Sequence, residues 1–449
     1  MSNLQPIPLP PTRRIVGALP KLRRVGMLSY MIHHWQTHGD ISAMKLGPRQ
    51  MALLSHPDYV HQVLVKNQLN YQKGTNYDKL RLLLGNGLVT SEYELWRGQR
   101  RIMQPSFTPK NTLGFADMMV KVMEKILVRW ETMADTNTPL DMQAEMMRLT
   151  MSIIGEAMFS VDLSADEHQG IGRAFGHGFE HITDNTGRIF IPPPSWPTPR
   201  NRRFKRTLET LDSFIGEQIA HGRRHPNQPN LLNMLLSAQD EETGKGMDDK
   251  QLRDEVMTLF FAGFETTART LGWAYYLLTQ NPEAYAKMHA EVDEVLQGAR
   301  PTVAALYQLP YTRMVADETL RLYPATGILA RQAIAEDEIG GYHMPAGMIV
   351  AFSPHILHRH PDFWPNPEAF MPERFAPEKV AAMHKCAYIP FSTGPRVCIG
   401  NNFALLEIVV VLAMVAQKYE WRFPRQEVGA ELHGTTRPEK PLYMTLHRR

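Results

Sequence analysis

The chain has 449 residues, of which 43% are hydrophobic and 21% charged, a composition typical of a folded globular protein and not of a disordered one. Lys and Arg total 49 against 46 for Asp and Glu, and this near balance argues against a dedicated nucleic-acid-binding protein. Two cysteines, Cys386 and Cys398, are too few for a disulfide scaffold or a cysteine-rich zinc module.

The N-terminal lead, residues 1–20, is rich in proline and lacks the apolar segment and cleavage site of a secretory signal peptide. No run of about 18 apolar residues follows, so a transmembrane segment is not expected. The closest stretch, residues 403–416, is interrupted by Glu407. We therefore expect a cytoplasmic protein.

The first predicted elements are two short strands at residues 41–46 and 51–55, separated by Gly47 and Pro48. Helical patterns dominate from Pro57 onward. A proline-rich break at residues 191–199 precedes a basic run at positions 200–206. That run is interpreted either as a solvent-exposed helix start or as a mobile lid or membrane contact, and both alternatives stay open.

A long helix is predicted over residues 248–280, begun by the capping pair Asp248 and Gln251 and ended before Pro282. About thirty residues at 1.5 Å each span roughly 45 Å, the width of a whole domain. The middle of this helix, residues 259–264, is apolar on every side, so the helix should be buried. Glu265 and Thr266 follow this apolar stretch directly and are candidates for a chemical role.

Short strands are predicted again at residues 328–333, 348–352 and 442–446. Helices in the body of the chain and small sheets towards both ends favour a mainly α fold with small β-sheets. We expect a single large domain that covers residues 1–449.

Cys398 lies at the end of the segment Phe391-Ser-Thr-Gly-Pro-Arg-Val-Cys398, directly before an apolar helix predicted over residues 401–417. A cysteine at a helix start faces unpaired backbone N–H groups and the positive end of the helix dipole, which favour the thiolate. A buried structural cysteine and a cysteine hydrolase remain alternatives, whereas zinc would need three or four closely spaced ligands. Haem iron needs one protein thiolate, so a single cysteine fits a haem site well.

Haem would bring two propionates, for which arginine offers bidentate hydrogen bonds. Arg396 lies two residues before Cys398. Trp96 and Arg100 are spaced i and i+4 on one predicted helix face, although an exposed helix face explains that pair equally well.

Glu318 and Arg321 are spaced i and i+3 on a further predicted helix, where a surface salt bridge is the ordinary interpretation. Arg374 could instead complete a buried Glu–Arg–Arg cluster with them. Such a cluster would be structural, and we assign it no chemical step.

Together these residues resemble the cytochrome P450 family of haem-thiolate monooxygenases. The cysteine segment matches the family pattern Phe-x-x-Gly-x-Arg-x-Cys-x-Gly, and residues 262–267 resemble its oxygen-activating helix motif. Tyr93 departs from the pattern, because many members carry glycine there. By resemblance, the cofactor-binding residues are Trp96, Arg100, Gly263, Arg331, Phe391 and Arg396.

The resemblance implies haem b (iron protoporphyrin IX) with Cys398 as its axial thiolate ligand and the long central helix over the haem. It implies that Gly263 lets the backbone approach the porphyrin and that Glu265 and Thr266 are catalytic, relaying protons during hydroxylation or epoxidation. The Thr266 hydroxyl is expected to bond back to a carbonyl of its own helix. Electrons would come from a separate ferredoxin, flavodoxin or flavin reductase. The substrates would be O2 and a lipophilic molecule such as a fatty acid, terpenoid or steroid, since the helix centre is apolar.

Other functions stay open at this point. A peroxide-driven haem peroxygenase would keep the haem, but family members of that kind tend to lose the acid–threonine pair, which is present here. A haem-binding sensor or carrier would bind haem without catalysis. A zinc site at His355, His358 and His360 is a further alternative, although a surface loop is the more ordinary interpretation of that segment.

Overall fold

The computed structural model describes residues 4–10, 17–46, 49–163, 169–183 and 193–449. Helices make up most of this part of the chain, and the strands within it form small sheets of two to five strands. The prediction of a mainly α fold with small β-sheets is therefore confirmed.

The helices range from single turns to the long central helix. In chain order they are α1 (Leu19–Val25), α2 (Met27–His38), α3 (Pro57–His61), α4 (Asp78–Leu84), α5 (Tyr93–Met103), α6 (Pro109–Leu113), α7 (Ala116–Thr136), α8 (Met142–Phe159), α9 (Gln169–Thr183), α10 (Pro199–Arg224), α11 (Leu231–Ser237), α12 (Asp249–Gln280), α13 (Pro282–Leu296), α14 (Val303–Leu306), α15 (Pro310–Leu322), α16 (Pro354–Leu357), α17 (Pro377–Ala382) and α18 (Asn401–Ala416). A π-helical turn (Gln62–Lys66) follows α3, and short 3-10 turns include Gly74–Tyr77 and Gly394–Arg396.

The strands are short. They are β1 (Gln5–Pro6), β2 (Ile41–Leu46), β3 (Arg49–Leu54), β4 (Tyr71–Gln72), β5 (Leu140–Asp141), β6 (Leu329–Ala333), β7 (Asp337–Ile339), β8 (Tyr342–Met344), β9 (Ile349–Phe352), β10 (Tyr419–Arg422), β11 (Ala430–His433), β12 (Thr435–Pro438) and β13 (Tyr443–Arg448). The largest sheet has the order β2-β3-β9-β6-β4, and β11 and β12 form a separate antiparallel hairpin.

The predicted hairpin near the N-terminus is confirmed. β2 and β3 pair antiparallel from Ile41 opposite Leu54 to Leu46 opposite Arg49. The strand expected to begin at Met51 begins at Arg49, because pairing starts directly after the turn. The turn residues Gly47 and Pro48 lie outside the described residues.

The described parts of the two proline-rich segments include regular secondary structure. Within the N-terminal lead, β1 pairs with β8 in parallel, and α1 already begins at Leu19. The break at residues 191–199 is described from Pro193, and α10 begins at Pro199 with the hydroxyl of Thr198 accepting from the Asn201 N–H at 3.1 Å.

The long central helix α12 has the predicted bounds and the predicted start. The carboxylate of Asp248 accepts from the Gln251 N–H at 2.7 Å, and α13 follows at Pro282. α12 packs on α8, α15 and α18, and Phe260 and Phe264 at its centre are fully buried. An apolar helix enclosed by other helices is stabilised mainly by burial and not by helix propensity.

Helix α18 follows Cys398 as predicted, and apart from the buried Glu407 its middle is apolar on all sides, as suits a helix enclosed by other elements. With 16 residues, α18 is shorter than the roughly 20 residues that a membrane-spanning helix needs. Among the described residues, none of the helices combines the length and the apolar character that crossing a bilayer requires.

Candidate active site

The segment that carries Cys398 is a tight loop that enters α18. The Cys398 N–H donates to the carbonyl of Phe391 at 2.9 Å and closes the loop. Gly394 has a φ of +71°, and a side chain there would collide with the carbonyl of Leu64. Glycine is therefore required at this turn for both its conformation and its size.

The thiol of Cys398 has accessible surface although protein surrounds it. Burial raises its pKa, while a hydrogen bond from the Gly400 N–H and the charge of Arg100 act in the opposite direction. The N–H group at the helix start thus favours the thiolate, as expected, while desolvation opposes it. The exposed side chain of Cys398 could bind a metal cation, and such a cation would favour the thiolate.

One face of α12 is open within an otherwise buried helix. Ala262, Gly263 and Thr266 lie on that face and are partly exposed, whereas Phe264 and Thr267 beside them are buried. The Thr266 hydroxyl donates to the carbonyl of Ala262 at 2.8 Å, as predicted. This face is where α12 can contact a bound group.

Gly263 also has a packing role that the sequence did not reveal. A side chain at this position would meet Cδ1 of Ile154, on α8, at 2.9 Å. The absent side chain thus lets α12 and α8 pack closely, and the expected approach of the backbone to the porphyrin stays a prediction.

Glu265 is turned away from the open face of α12. Its carboxylate is buried and accepts from the Thr435 hydroxyl at 2.8 Å and from the Arg269 guanidinium at 3.3 Å. Burial raises the pKa of Glu265, and the charge of Arg269 lowers it in part. The described side chains do not join Glu265 to Thr266 by a hydrogen bond, and sequence reasoning missed both Thr435 and Arg269.

Cations are gathered in the interior beside the cysteine loop. Lys73 is 5% exposed and Arg331 6% exposed, and both lie close enough to Arg396 to repel its charge. Burial lowers the pKa of Lys73, and Arg396 lowers it further. Glu92 is a compensating carboxylate, 2.5 Å from Arg396.

Helix α5 brings its two predicted residues to this region. The Arg396 guanidinium stacks over the Trp96 ring at 4.2 Å, and Arg100 donates to the carbonyl of Val397 at 2.9 Å. The alternative of an ordinary exposed helix face is thus not what the structure shows. Lys73 was missed, because a single lysine in an irregular segment carries no spacing signal.

These residues fit an iron porphyrin. Among the described side chains in this group, Lys73, Arg331 and Arg396 outnumber Glu92, and such an excess of positive charge in the interior is costly unless an anionic group binds there. The two propionates of haem would supply that charge, and the accessible sulfur of Cys398 would supply the metal ligand.

The zinc alternative is not supported. His355, His358 and His360 are buried, so the interpretation of this segment as a surface loop is wrong too. His358 accepts from the Ile389 N–H at 2.9 Å through Nε2, and its Nδ1 lies 3.1 Å from the carbonyl of Arg321. In the part of the chain that is described, no group of three His, Cys, Asp or Glu side chains is placed to hold a metal.

The predicted Glu–Arg–Arg cluster is confirmed. Arg321 Nε and Nη2 donate to the two carboxylate oxygens of Glu318 at 2.7 and 2.8 Å, and both side chains are fully buried. Arg374 Nε lies 3.4 Å from Glu318 Oε1. Arg321 also donates to the carbonyls of Pro367 and Ala369, so the cluster holds the chain segment that precedes the cysteine loop.

Tyr93, the departure from the family pattern, adopts the conformation that glycine prefers. Its φ is +48°, in the left-handed region, where a side chain with a Cβ is strained. Its hydroxyl donates to the side chain of Gln72, and its ring is exposed. The tyrosine therefore keeps a glycine-like backbone conformation at the start of α5.

The comparisons with known proteins agree with this geometry. The family model described as Cytochrome P450 matches residues 7–446. The chain is 36% identical over 391 residues to cyclooctatin synthase of Streptomyces melanosporofaciens, covering 86% of this chain and 83% of that protein. It is 35% identical over 393 residues, with the same coverage, to cyclooctat-9-en-7-ol 5-monooxygenase of the same organism. A solved structure, "Crystal structure of cytochrome P450DA heme domain", superposes with a TM-score of 0.92 at 29% identity, covering 99% of this chain and 98% of that one.

Proposed function

The chain belongs to the cytochrome P450 family of monooxygenases, and from this premise we propose that it is a haem-thiolate enzyme that hydroxylates or epoxidises a lipophilic substrate with one oxygen atom of O2. The observation that carries the proposal is the pairing of an accessible cysteine sulfur with an excess of interior cations beside it. The family implies haem, and this arrangement supports haem b with Cys398 as its axial ligand.

We assign the cofactor contacts residue by residue. The sulfur of Cys398 would bind the haem iron, with the loop closed by Phe391 holding the sulfur in place. Arg331, Arg396 and Lys73 would neutralise propionates, and Trp96 would keep the Arg396 guanidinium flat against its ring. Arg100 would add positive charge near the sulfur. When bound, haem supplies the chemistry that activates O2 for insertion into a C–H bond.

The open face of α12 would border the substrate. Thr266 would hold a proton at its hydroxyl, which now donates to Ala262. Glu265 would supply protons from the buried side, and for this its carboxylate would have to leave Thr435 and Arg269. Its raised pKa supports this role, since a carboxyl with a pKa nearer neutral gives up and regains protons more readily.

The proposed substrate is a fatty acid, terpenoid or steroid. Phe261 on α12 is partly exposed and lies beside the open face, so the space there is bordered by apolar surface. One relative is named for an unsaturated alcohol, cyclooctat-9-en-7-ol, and this supports a lipophilic substrate for this chain as well.

Electrons would come from a separate ferredoxin, flavodoxin or flavin reductase. The second candidate, a peroxide-driven peroxygenase, would need no such partner. The presence of Glu265 and Thr266 favours the O2-dependent reaction, and the two are separated by whether turnover with O2 requires a reductase. A haem sensor or carrier would give no oxygenated product under either condition.

Cys398→Ala tests the proposal, with Cys386→Ala as the matched control, because Cys386 is the other free cysteine and lies in a separate apolar cluster. We expect wild type and Cys386→Ala to give the ferrous–CO absorption band of thiolate-ligated haem and Cys398→Ala to lose it. An unchanged band in Cys398→Ala would contradict the assignment. Oxygenated product from a lipophilic panel, formed with O2 and a reductase, tests the reaction itself.

A further inference from the structure

Two consecutive threonines of the β11–β12 hairpin are both buried, but their hydroxyl groups are bonded differently. The Thr435 hydroxyl donates to the carboxylate of Glu265 on α12 at 2.8 Å. The Thr436 hydroxyl has no hydrogen-bond partner among the residues that the structure describes. Of its two hydroxyl groups, the hairpin thus directs that of Thr435 to the acid.

The backbone around Thr435 is fixed from several sides. The Thr436 N–H donates to the carbonyl of Ala325 at 2.9 Å, and the indole N–H of Trp273 on α12 donates to the Thr436 carbonyl at 3.2 Å. On the other side, Gly434 turns the hairpin with a φ of +81°, in the region that favours glycine. Thr435 is therefore held against α12, and a break in its bond to Glu265 requires the glutamate side chain to move.

Thr435 differs in its bonding from the threonines of α12. The hydroxyls of Thr266, Thr267 and Thr270 each donate to a carbonyl of their own helix, four residues earlier. A threonine in a helix can satisfy its hydroxyl in this way. Thr435 lies in a strand, where no preceding helical turn offers such a carbonyl, so its hydroxyl is available to Glu265.

Two cations face Glu265 in addition to the Thr435 hydroxyl. Arg269, on the same helix, lies 3.3 Å from the carboxylate, and Arg437 on β12 is close enough for its charge to lower the pKa of Glu265. Arg437 also pairs with Glu431 at 2.7 Å. Burial outweighs these groups and raises the pKa of Glu265. The Thr435 hydroxyl thus favours the ionised carboxylate and, by the same bond, its orientation away from the open face of α12.

We infer that Thr435 is a positioning residue, whose hydroxyl holds Glu265 in its resting orientation and releases it each time Glu265 delivers a proton towards Thr266. In that step the carboxyl O–H bond of Glu265 breaks, its proton passes to the Thr266 hydroxyl oxygen, and this hydroxyl gives up its own proton on the open face. The resulting carboxylate returns to Thr435 and regains a proton from solvent water, which reaches the adjoining Arg269 side chain because that side chain is 15% exposed. This inference deepens the proposed function and rests on it.

Thr435→Val tests the inference, because valine keeps the shape of the side chain and removes the hydroxyl. Loss of a hydrogen bond to the carboxylate should raise the pKa of Glu265 by about one to two pH units. Glu265 must be protonated to deliver a proton, so product per electron pair consumed falls as pH rises through its pKa. In the haem-loaded protein, supplied with O2, a reductase and a lipophilic substrate, this fall should move to higher pH by the same amount.

Two variants separate positioning from damage to the hairpin. Thr435→Ser keeps the hydroxyl and should keep the wild-type pH dependence. Thr436→Val makes the same change at the neighbouring buried position, where the hydroxyl is unbonded among the described residues, and should also keep it. A damaged hairpin would instead lower product per electron pair at every pH.

Infrared difference spectra give a second measurement that needs no turnover. The spectrum of each haem-loaded protein minus that of the same protein carrying Glu265→Gln follows the protonated carboxyl of Glu265 as pH is raised. Its midpoint should lie higher in Thr435→Val than in the wild type and be unchanged in Thr435→Ser and Thr436→Val.

An unmoved midpoint in Thr435→Val, or equal shifts in the Thr435→Val and Thr436→Val proteins, would overturn the inference. A shifted midpoint with an unshifted pH dependence of product formation would overturn it too, because proton delivery would then not depend on this bond; the proposed function would stand. If the midpoint shifts as expected but no oxygenated product forms from any substrate, the positioning of Glu265 by Thr435 is supported and the proposed function fails.

Discussion

Thr266 and Thr270 lie one turn apart on α12 and bond in the same way, yet their surroundings differ. The Thr266 hydroxyl donates to the carbonyl of Ala262 at 2.8 Å, and the Thr270 hydroxyl donates to the carbonyl of Thr266 at 3.0 Å. Thr266 is partly exposed on the open face, whereas Thr270 is buried. A role in proton delivery can belong to the first and not to the second.

Thr266→Ala should uncouple electron consumption from product formation, because the hydroxyl that we propose holds a proton beside the open face is lost. We expect product per electron pair consumed to fall several-fold, with peroxide or water formed instead. Thr270→Ala removes an equivalent helix hydroxyl and should keep wild-type coupling. Equal uncoupling in both variants would indicate a helix effect and remove Thr266 from the mechanism.

Two consecutive carboxylates couple the first half of α12 to the segment before α5. Asp254 accepts from the Asn86 N–H at 2.9 Å, and Glu255 accepts from the Leu88 N–H at 2.8 Å. Burial raises the pKa of Glu255 to about 8. Residues 71–88, which contain α4, are thereby attached to the central helix.

Glu255→Gln should change how stability depends on pH. The folded pKa of about 8 lies above the ordinary value of 4.5, so the unfolded chain releases this proton first as pH rises. Ionisation of Glu255 in the unfolded chain therefore lowers the free energy of unfolding of the wild type between about pH 4.5 and about pH 8. Glutamine does not ionise, so the variant should not lose this stability.

The measurement is the thermal midpoint of the haem-loaded protein at about pH 5 and about pH 8. The substitution Glu255→Gln should raise the midpoint relative to wild type by roughly 1–3 °C more at the higher pH than at the lower. Glu241→Gln, at an exposed position, is the control. The same offset at both pH values would show that Glu255 is already ionised in the folded state.

At the scale of the whole molecule, the Glu318–Arg321 pair connects α15 to the chain that leads into the cysteine loop. Arg321 contacts the carbonyls of His358, Pro367 and Ala369 in addition to Glu318. Removing one partner of such a buried pair leaves an uncompensated charge, and this costs more than the pair itself contributes.

Glu318→Gln should lower the free energy of unfolding by about 3–5 kcal/mol and reduce haem retention, since Arg321 loses its counter-charge in the interior. Glu94→Gln is a close control, because Glu94 and Arg97 form the same i, i+3 pair at 2.6 Å but on the surface. That control should cost about 0–1 kcal/mol. Comparable losses in the two variants, measured by denaturant unfolding, would refute the structural role of the buried cluster.

Features of the structure could be predicted from the sequence where the interacting residues lie close together along the chain. The bounds and cap of α12, the β2–β3 hairpin and the helix behind Cys398 depend on neighbours within a few residues, and all three were predicted from local pattern. The contacts of Glu265 depend on Thr435, which is 170 positions away, so no local pattern could reveal them.

The amino-acid sequence by itself determined the fold class, the family and the order of the motif residues, because periodicity, caps and the cysteine segment are written along the chain. Only the tertiary structure decided that Lys73 joins the cations beside the cysteine loop, that Gly263 packs against Ile154, and that burial dominates the pKa of Cys398. Burial and charge are sums over everything that surrounds a group, and most of those surroundings come from distant parts of the chain.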